Sequence, residues 1–120
     1  MMSPRPVFYK KALLEQSADA TTVTDALSGR YARVMRNEFT DRYAKSGAPV
    51  LPFLWQANAA ADIYQKAAAD GNPGYVPMWA GQSVGLVHNL PGAGEVVESI
   101  IREARQLLVE QFPLAVKLSE

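Results

Sequence analysis

The stretch "MWAGQSVGLVHNLPGAGEVVESIIREARQLL", residues 78–108, passes from a glycine-containing loop into the most regular helical pattern of the chain. Its second half has aliphatic residues at helical spacing and charged residues between them. Pro91 lies near the expected start of this helix and Pro113 near its expected end. The pattern predicts a helix whose apolar stripe packs against another element. The stripe consists of Val96, Val97, Ile100, Ile101, Ala104, Leu107 and Leu108.

The loop before this helix, "AGQSVGL" at 80–86, is the strongest candidate for a binding function. Glycine removes the side chain where a backbone must approach a ligand or another backbone, and the Gln82 amide both donates and accepts hydrogen bonds. A short helix from Gln82 to His88 would present free N–H groups to a flavin or its phosphate. A tight turn that packs two helices fits the same spacing.

Length and composition limit the classes of protein to which this chain can belong. The 120 residues correspond to about one small domain. Twelve basic and twelve acidic residues cancel, so nothing indicates nucleic acid or a membrane surface as a partner. The lack of cysteine excludes a disulfide framework and a thiolate metal site. No apolar run reaches membrane-spanning length and the first residues lack an apolar signal core, so we expect a cytoplasmic protein.

The segment "TTVTDALSGRYARVMRN", residues 21–37, predicts a β-hairpin. With Ser28-Gly29 as a two-residue loop, Val23 would face Val34 and Ala26 would face Tyr31. The alternative, one continuous helix, would carry Gly29 in its middle at a cost of about 1 kcal/mol.

The remaining pattern is mainly helical. Helices are predicted over 8–16, over 37–45 with Asn37 as N-cap and a stop at Ser46-Gly47, and over 58–70 with a stop at 71–74. The segment "APVLPFLWQ", 48–56, contains two prolines and is expected to be an extended, buried connector. Residues 75–79 are expected to form a short strand or loop. The predicted fold class is therefore α+β, mainly helical with a small hairpin.

Other residues that could support chemistry have a simpler structural explanation. The single histidine, His88, has no serine, cysteine or second histidine at a spacing typical of a catalytic site, so a structural or surface role is favoured. The "GAG" at 92–94 lacks a third glycine and a preceding strand, so it is not a dinucleotide fingerprint. Arg30, Arg33 and Arg36 could hold a phosphate or carboxylate, but a solvated strand face has the same pattern. Trp55 and Trp79 could line a pocket, although large aromatic residues more often build a core.

Taken in order, these segments resemble the C-terminal part of the nitronate monooxygenases, formerly called 2-nitropropane dioxygenases. The stretch 78–108 resembles the family's alanine-glycine-glutamine loop, its glycine-leucine pair and its proline-led final helix. "VFYKKALLEQSADATTVTDALSGRYARVMRNEF" (7–39) is similar to the insert domain of the family, and "LPFLWQANAAADIYQKAAADGNPGY" (51–75) continues the match.

The resemblance implies an FMN-dependent enzyme with a TIM-like barrel and a smaller inserted domain over its mouth. A barrel of this kind takes roughly 250 residues, so we expect the barrel itself to be absent. Residues 1–80 would correspond to the insert or lid domain, and 81–120 to the C-terminal loop and last barrel helix. Gly81, Gln82 and Ser83 would face the flavin. The family's catalytic histidine lies before the matched region, so no catalytic residue is assigned and His88 does not take that role.

The complete enzyme, by resemblance, oxidises alkyl nitronates with O₂ to a carbonyl compound and nitrite. We expect this chain alone to have little such activity, and its partner to be the flavin-barrel portion or another copy. Two alternatives stay open. One is part of a flavin-type enoyl-acyl-carrier-protein reductase, which has a similar alanine-glycine-glutamine segment. The other is a non-catalytic interaction module that pairs through the apolar stripe at 96–108.

Overall fold

The computed structural model describes residues 7–117, which form two compact units that meet in sequence between His88 and Asn89. The first unit combines a β-hairpin with four short α-helices, and the second is helical. The described chain is therefore mainly helical with a two-stranded antiparallel hairpin, as predicted. The loop 81–88 belongs to the first unit.

The hairpin consists of β1, Thr21–Thr24, and β2, Ala32–Met35. The predicted pairing is wrong by one residue, because Val34 lies opposite Thr22 and Val23 lies opposite Arg33. The predicted two-residue loop is also wrong. Residues 25–31 make a wider turn that folds Ala26 and Leu27 into the core, and burial of these two residues sets the register.

A third extended segment pairs with the free edge of β2. Trp79 forms an antiparallel bridge with Val34, the Met35 amide donates to the Met78 carbonyl at 2.8 Å, and the Ala80 amide donates to the Arg33 carbonyl at 3.4 Å. The expected short strand or loop at 75–79 is thus a loop that ends in a short β-bridge. Because this segment is antiparallel to β2, the chain moves towards the turn end of the hairpin as it approaches Gly81.

Four α-helices surround the hairpin in the first unit: α1 Val7–Glu15, α2 Glu38–Ser46, α3 Trp55–Ala59 and α4 Ala61–Ala69. The unit also contains three 3₁₀ helices: Ala18–Ala20 lies between α1 and β1, and Pro73–Tyr75 and Gln82–Leu86 follow α4. The predicted helix over 8–16 corresponds to α1. The predicted helix over 58–70 is divided, because the backbone of Ala60 (φ −99°, ψ 1°) leaves helical geometry between α3 and α4.

Helix α2 begins and ends where its sequence predicts. The Asn37 side chain accepts a hydrogen bond from the Thr40 amide, and the Thr40 hydroxyl accepts one from the Asn37 amide, which completes a capping box. Gly47 ends the helix in the left-handed conformation (φ 65°). The Asn37 side-chain amide also donates to the carbonyls of Pro73 and Val76, so this cap joins α2 to the segment that leads to the loop at 80–86.

The core lies on both faces of the hairpin. Neighbouring residues of a strand point to opposite faces, and here Val34 and Met35 are both fully buried. Met35 packs in one cluster and Val34 in the other. The first cluster contains Tyr9, Met35, Ala67, Val76 and Met78, and the second contains Ala26, Leu27, Val34, Phe39 and Ala60.

The connector at 48–56 differs from the prediction, because its large apolar side chains are exposed instead of buried. Its backbone does lie across the hairpin turn, where the Leu54 amide donates to the Ser28 carbonyl at 3.3 Å. The turn is thus covered by the connector's backbone, so the side chains of Leu51, Phe53, Leu54 and Trp55 face outward.

The second unit consists of α5, Ala93–Arg105, a π-helical stretch Gln106–Gln111, and α6, Phe112–Lys117. The prediction that the helix ends near Pro113 is wrong, since helical structure continues to Lys117. Proline lacks an amide hydrogen and clashes with the carbonyl four residues earlier. The π-helical stretch ends at Gln111, two residues before Pro113, in the region where the regular hydrogen-bond pattern has to change.

Candidate functional site

The predicted site residues, Gly81, Gln82 and Ser83, are all exposed at the start of the 3₁₀ helix Gln82–Leu86. This helix is shorter than the predicted helix from 82 to 88. Within residues 7–117 the side chains of Gln82 and Ser83 form no hydrogen bond. The three residues, called the site loop below, therefore leave one amide, one hydroxyl and a glycine backbone available to a ligand.

The two glycines of "AGQSVGL" have different roles. A Cβ atom on Gly85 would lie 3.0 Å from the Ala18 amide nitrogen, so Gly85 allows the 3₁₀ helix to approach the backbone of Ala18–Ala20 closely. A Cβ atom on Gly81 would meet only Ser83, at an ordinary contact distance of 3.5 Å. The packing explanation thus applies to Gly85, and Gly81 has open space beside it.

The start of the site loop is anchored by the residues just before it. The bridge between Trp79 and Val34 attaches this segment to β2. The Tyr9 hydroxyl of α1 donates to the Trp79 carbonyl. After the loop, Val84 is buried and its amide donates to the Gly81 carbonyl at 3.1 Å. Ordered structure on both sides therefore holds the exposed site loop in place.

The three arginines, for which the sequence favours a solvated strand face over an anion site, have separate partners. The Arg30 guanidinium lies 4.1 Å from the centre of the Phe53 ring. Arg33 Nη1 donates to Thr21 Oγ1 at 3.0 Å, and Arg36 Nε lies 3.7 Å from an Asp41 carboxylate oxygen. Since each one contacts a different neighbour, these contacts give no support for a common anion site.

The remaining candidates from the sequence lie on the surface. His88 is exposed. Trp55 and Trp79 are exposed by 73% and 41%, so neither is part of the core. No group of acidic, histidine or cysteine side chains within 7–117 could hold a metal ion. No helix in the same range is long and apolar enough to cross a membrane.

The structure also has an open groove of about 480 Å³ that sequence reasoning missed. Its walls come from α1, from the junction of β2 and α2, and from the turn at 71–74, so no local motif marks it. One of its carboxylates, Glu38, is already engaged by Arg42 at 2.9 Å and by the Tyr75 hydroxyl at 2.7 Å. That hydrogen bond raises the pKa of Tyr75. The groove exposes charges of both signs and shows no catalytic arrangement. Its lining residues include Phe8, Lys11, Ala12, Glu15, Arg36 and Met78.

Comparison with known proteins identifies the family. The sequence model described as nitronate monooxygenase matches residues 3–103. The nitronate monooxygenase of Paraburkholderia phytofirmans is 41% identical over 101 residues, which are 82% of this chain and 27% of that protein. A crystal structure of nitroalkane oxidase from Streptomyces ansochromogenes has a TM-score of 0.67 at 29% identity, with 86% of this chain and 30% of that chain covered.

A more distant structural relative is FabK from Thermotoga maritima, with a TM-score of 0.63 at 25% identity; 83% of this chain and 32% of that chain are covered. In all three cases the chain spans less than a third of the relative. The family match nevertheless extends from the residues before α1 into α5 and includes the site loop. The chain therefore belongs to the nitronate monooxygenase family.

Proposed function

We propose that this chain forms the C-terminal part of an FMN-dependent nitronate monooxygenase that oxidises alkyl nitronates with O₂ to a carbonyl compound and nitrite. The observation that supports this most strongly is the family match over residues 3–103. The chain covers only 27% of a relative that is 41% identical, so the flavin-binding barrel would come from polypeptide outside these residues.

The site loop offers hydrogen-bonding groups and open space that suit contact with the flavin ring of FMN. The edge of a flavin ring carries alternating hydrogen-bond donors and acceptors, and the Gln82 amide and Ser83 hydroxyl can match both kinds. Open space beside Gly81 lets the ring approach the backbone. When bound, FMN would supply the electron transfer, while this chain would orient the ring and exclude water from it.

The rest of the chain would complete the enclosure of the substrate. By resemblance, residues 1–80 would act as the lid and α5 as the last barrel helix. The apolar stripe of the second unit is exposed, with Ile100 exposed by 62%, and surfaces of this kind usually pack against a partner. The proposal includes a domain boundary at 80/81, a cytoplasmic location and the flavin barrel as the partner.

The test is a chimeric enzyme in which residues 7–117 replace the matching segment of the Paraburkholderia phytofirmans protein. We expect it to hold FMN and to oxidise propionate-3-nitronate or nitroethane. The 120-residue chain alone should do neither at enzyme-like rates. Flavin absorbance and nitrite release measure the two properties separately. Stoichiometric flavin and turnover in the isolated chain would contradict the proposal.

Two other functions are separated by further assays. A chimera that catalyses NAD(P)H-dependent enoyl reduction but not nitronate oxidation would favour an enoyl-acyl-carrier-protein reductase. That function ranks second, because the chain is more similar to a nitronate monooxygenase (41%) than to FabK (25%). The interaction-module alternative, in which two copies pair through the 96–108 stripe, predicts that the isolated chain is a dimer. Light scattering measures its mass in solution.

A further inference from the structure

We propose that residues 51–55, called the apolar loop below, form a preorganised docking surface for the flavin-binding portion of the enzyme. This inference rests on the proposed function, and it adds a second contact besides the apolar stripe of α5. It lies between α2 and α3, includes Trp55 as the first residue of α3, and belongs wholly to the first unit.

The apolar loop exposes an unusual concentration of large apolar side chains. Trp55 is exposed by 73% and Leu54 by 59%, and Leu51 and Phe53 are exposed as well. No charged residue occurs between Ala48 and Ala61. Surface loops of monomeric proteins usually carry charges, whereas the centres of protein interfaces are depleted of charge and enriched in tryptophan. This composition indicates a surface that becomes buried.

The loop is held in one conformation by the hairpin turn beneath it. Gln56 is 4% exposed; its Nε2 donates to the Ala26 carbonyl at 2.8 Å, and its Oε1 accepts from the Leu51 amide at 3.0 Å. A Cβ atom on Gly29 would lie 2.6 Å from the Leu51 carbonyl oxygen, so the turn and the loop are in direct backbone contact. Fixed contacts on both sides reduce the entropy that the loop would lose on docking.

Leu54 supports the same conclusion. Its φ angle of 72° is the only positive φ of a non-glycine residue within 7–117. Such a conformation costs about 1–3 kcal/mol and persists only where surrounding structure imposes it. The Leu54 side chain is exposed, so its own burial does not offset this cost. The Leu54 amide donates to the Ser28 carbonyl and the Leu54 carbonyl accepts from the Asn58 amide, so the turn and α3 impose this angle and hold an apolar side chain at the surface.

The flavin-binding portion is the occupant that fits these observations. The matched segment makes up only 27% and 30% of two relatives of this chain. The rest of such a polypeptide would be available to cover the loop. The segment Met78–Ala80 runs towards the turn end of the hairpin, where the apolar loop also lies. Beyond Ala80 the chain turns back, because Gly85 packs against Ala18 at the open end of the hairpin, so the apolar loop would be a contact separate from the site loop. Arg30, stacked on Phe53, would form a polar rim.

Photo-crosslinking in the chimera described above tests this directly. A photo-reactive benzoylphenylalanine in place of Trp55 should crosslink to the flavin-binding portion, as mapped by mass spectrometry. The matched control carries the same group in place of Gln65, an exposed residue of α4, and should crosslink at least severalfold less. Crosslinks from position 55 to a second copy, or none beyond residues 7–117, would overturn the proposal.

A second measurement uses the 120-residue chain itself. Because Leu54 is exposed and strained, Leu54→Gly should leave the first unit equally stable or make it more stable in urea unfolding; a loss of stability would refute preorganisation. FMN content and nitrite release are recorded separately. A chimera that crosslinks at position 55 but does not oxidise nitronates would refute the proposed function and leave the docking surface intact.

Discussion

The Gln56 side chain bonds to the hairpin turn thirty residues earlier in the chain: its Nε2 donates to the buried Ala26 carbonyl at 2.8 Å. Its Oε1 accepts from the Leu51 amide, so one side chain bonds both the hairpin turn and the connector. A single buried glutamine thus links the core beneath β2 to the exposed apolar loop.

Gln56→Leu should destabilise the first unit. It removes both hydrogen bonds and leaves the Ala26 carbonyl buried without a partner, which costs about 1–3 kcal/mol. Urea unfolding followed by tryptophan fluorescence measures this, since both tryptophans precede residue 89. Gln65→Leu, at an exposed position, should change stability by less than about 0.5 kcal/mol. Equal losses in the two variants would show that the Gln56 bonds contribute nothing.

Gly29→Ala should be more destabilising than Gly47→Ala. Both glycines have a positive φ, 84° and 65°, so each alanine pays about 1–2 kcal/mol for the left-handed region. Only at Gly29 would the new Cβ also meet the Leu51 carbonyl oxygen, at 2.6 Å; nothing lies within 4 Å of a Cβ on Gly47. The difference in unfolding free energy between the two variants isolates the contact between turn and connector. Identical values would mean that this contact does not exist in solution.

Gly85 is expected to serve packing and Gly81 to face a ligand, and the variants Gly85→Ala and Gly81→Ala test these two roles. A Cβ on Gly85 would press on the Ala18 amide at 3.0 Å, and stability should fall by about 1 kcal/mol or more. Gly81→Ala meets only Ser83 and should leave stability within about 0.5 kcal/mol. In the chimera, Gly81→Ala should reduce FMN retention more than Gly85→Ala does, which is the reverse of their effects on stability. Normal flavin binding by Gly81→Ala would remove Gly81 from the proposed site.

The stability of the first unit should fall at high pH because the Tyr64 hydroxyl ionises more readily in the unfolded chain than in the folded one. Burial, and to a lesser extent the neighbouring Tyr43, raises the pKa of Tyr64 from 10.0 to about 12. A raised pKa means that the unfolded chain loses this proton first. The contribution to stability is therefore complete below pH 10 and is lost as pH rises from 10 to about 12. Tyr64→Phe should flatten the decline in urea-unfolding midpoints across this range, and an unchanged slope would contradict the assignment.

Local sequence signals were sufficient for both ends of α2 and for the apolar pattern of α5. Asn37 caps α2 and Gly47 ends it as predicted, because capping depends on groups within one helical turn. The apolar stripe that begins at Val96 follows directly from helical spacing. The family resemblance was also readable, since it depends on the order of segments along the chain. The match over residues 3–103 confirms it.

Strand register and side-chain burial were decided only by the tertiary structure. The predicted pairing of Val23 with Val34 was wrong by one residue, because the wide turn buries Ala26 and Leu27, and no local pattern reports that packing. The connector appeared buried by composition, yet its backbone covers the turn and its side chains point outward. The sequence thus determined which residues are apolar. The fold determined which of them face the core and which remain exposed, because burial depends on contacts between segments far apart in the chain.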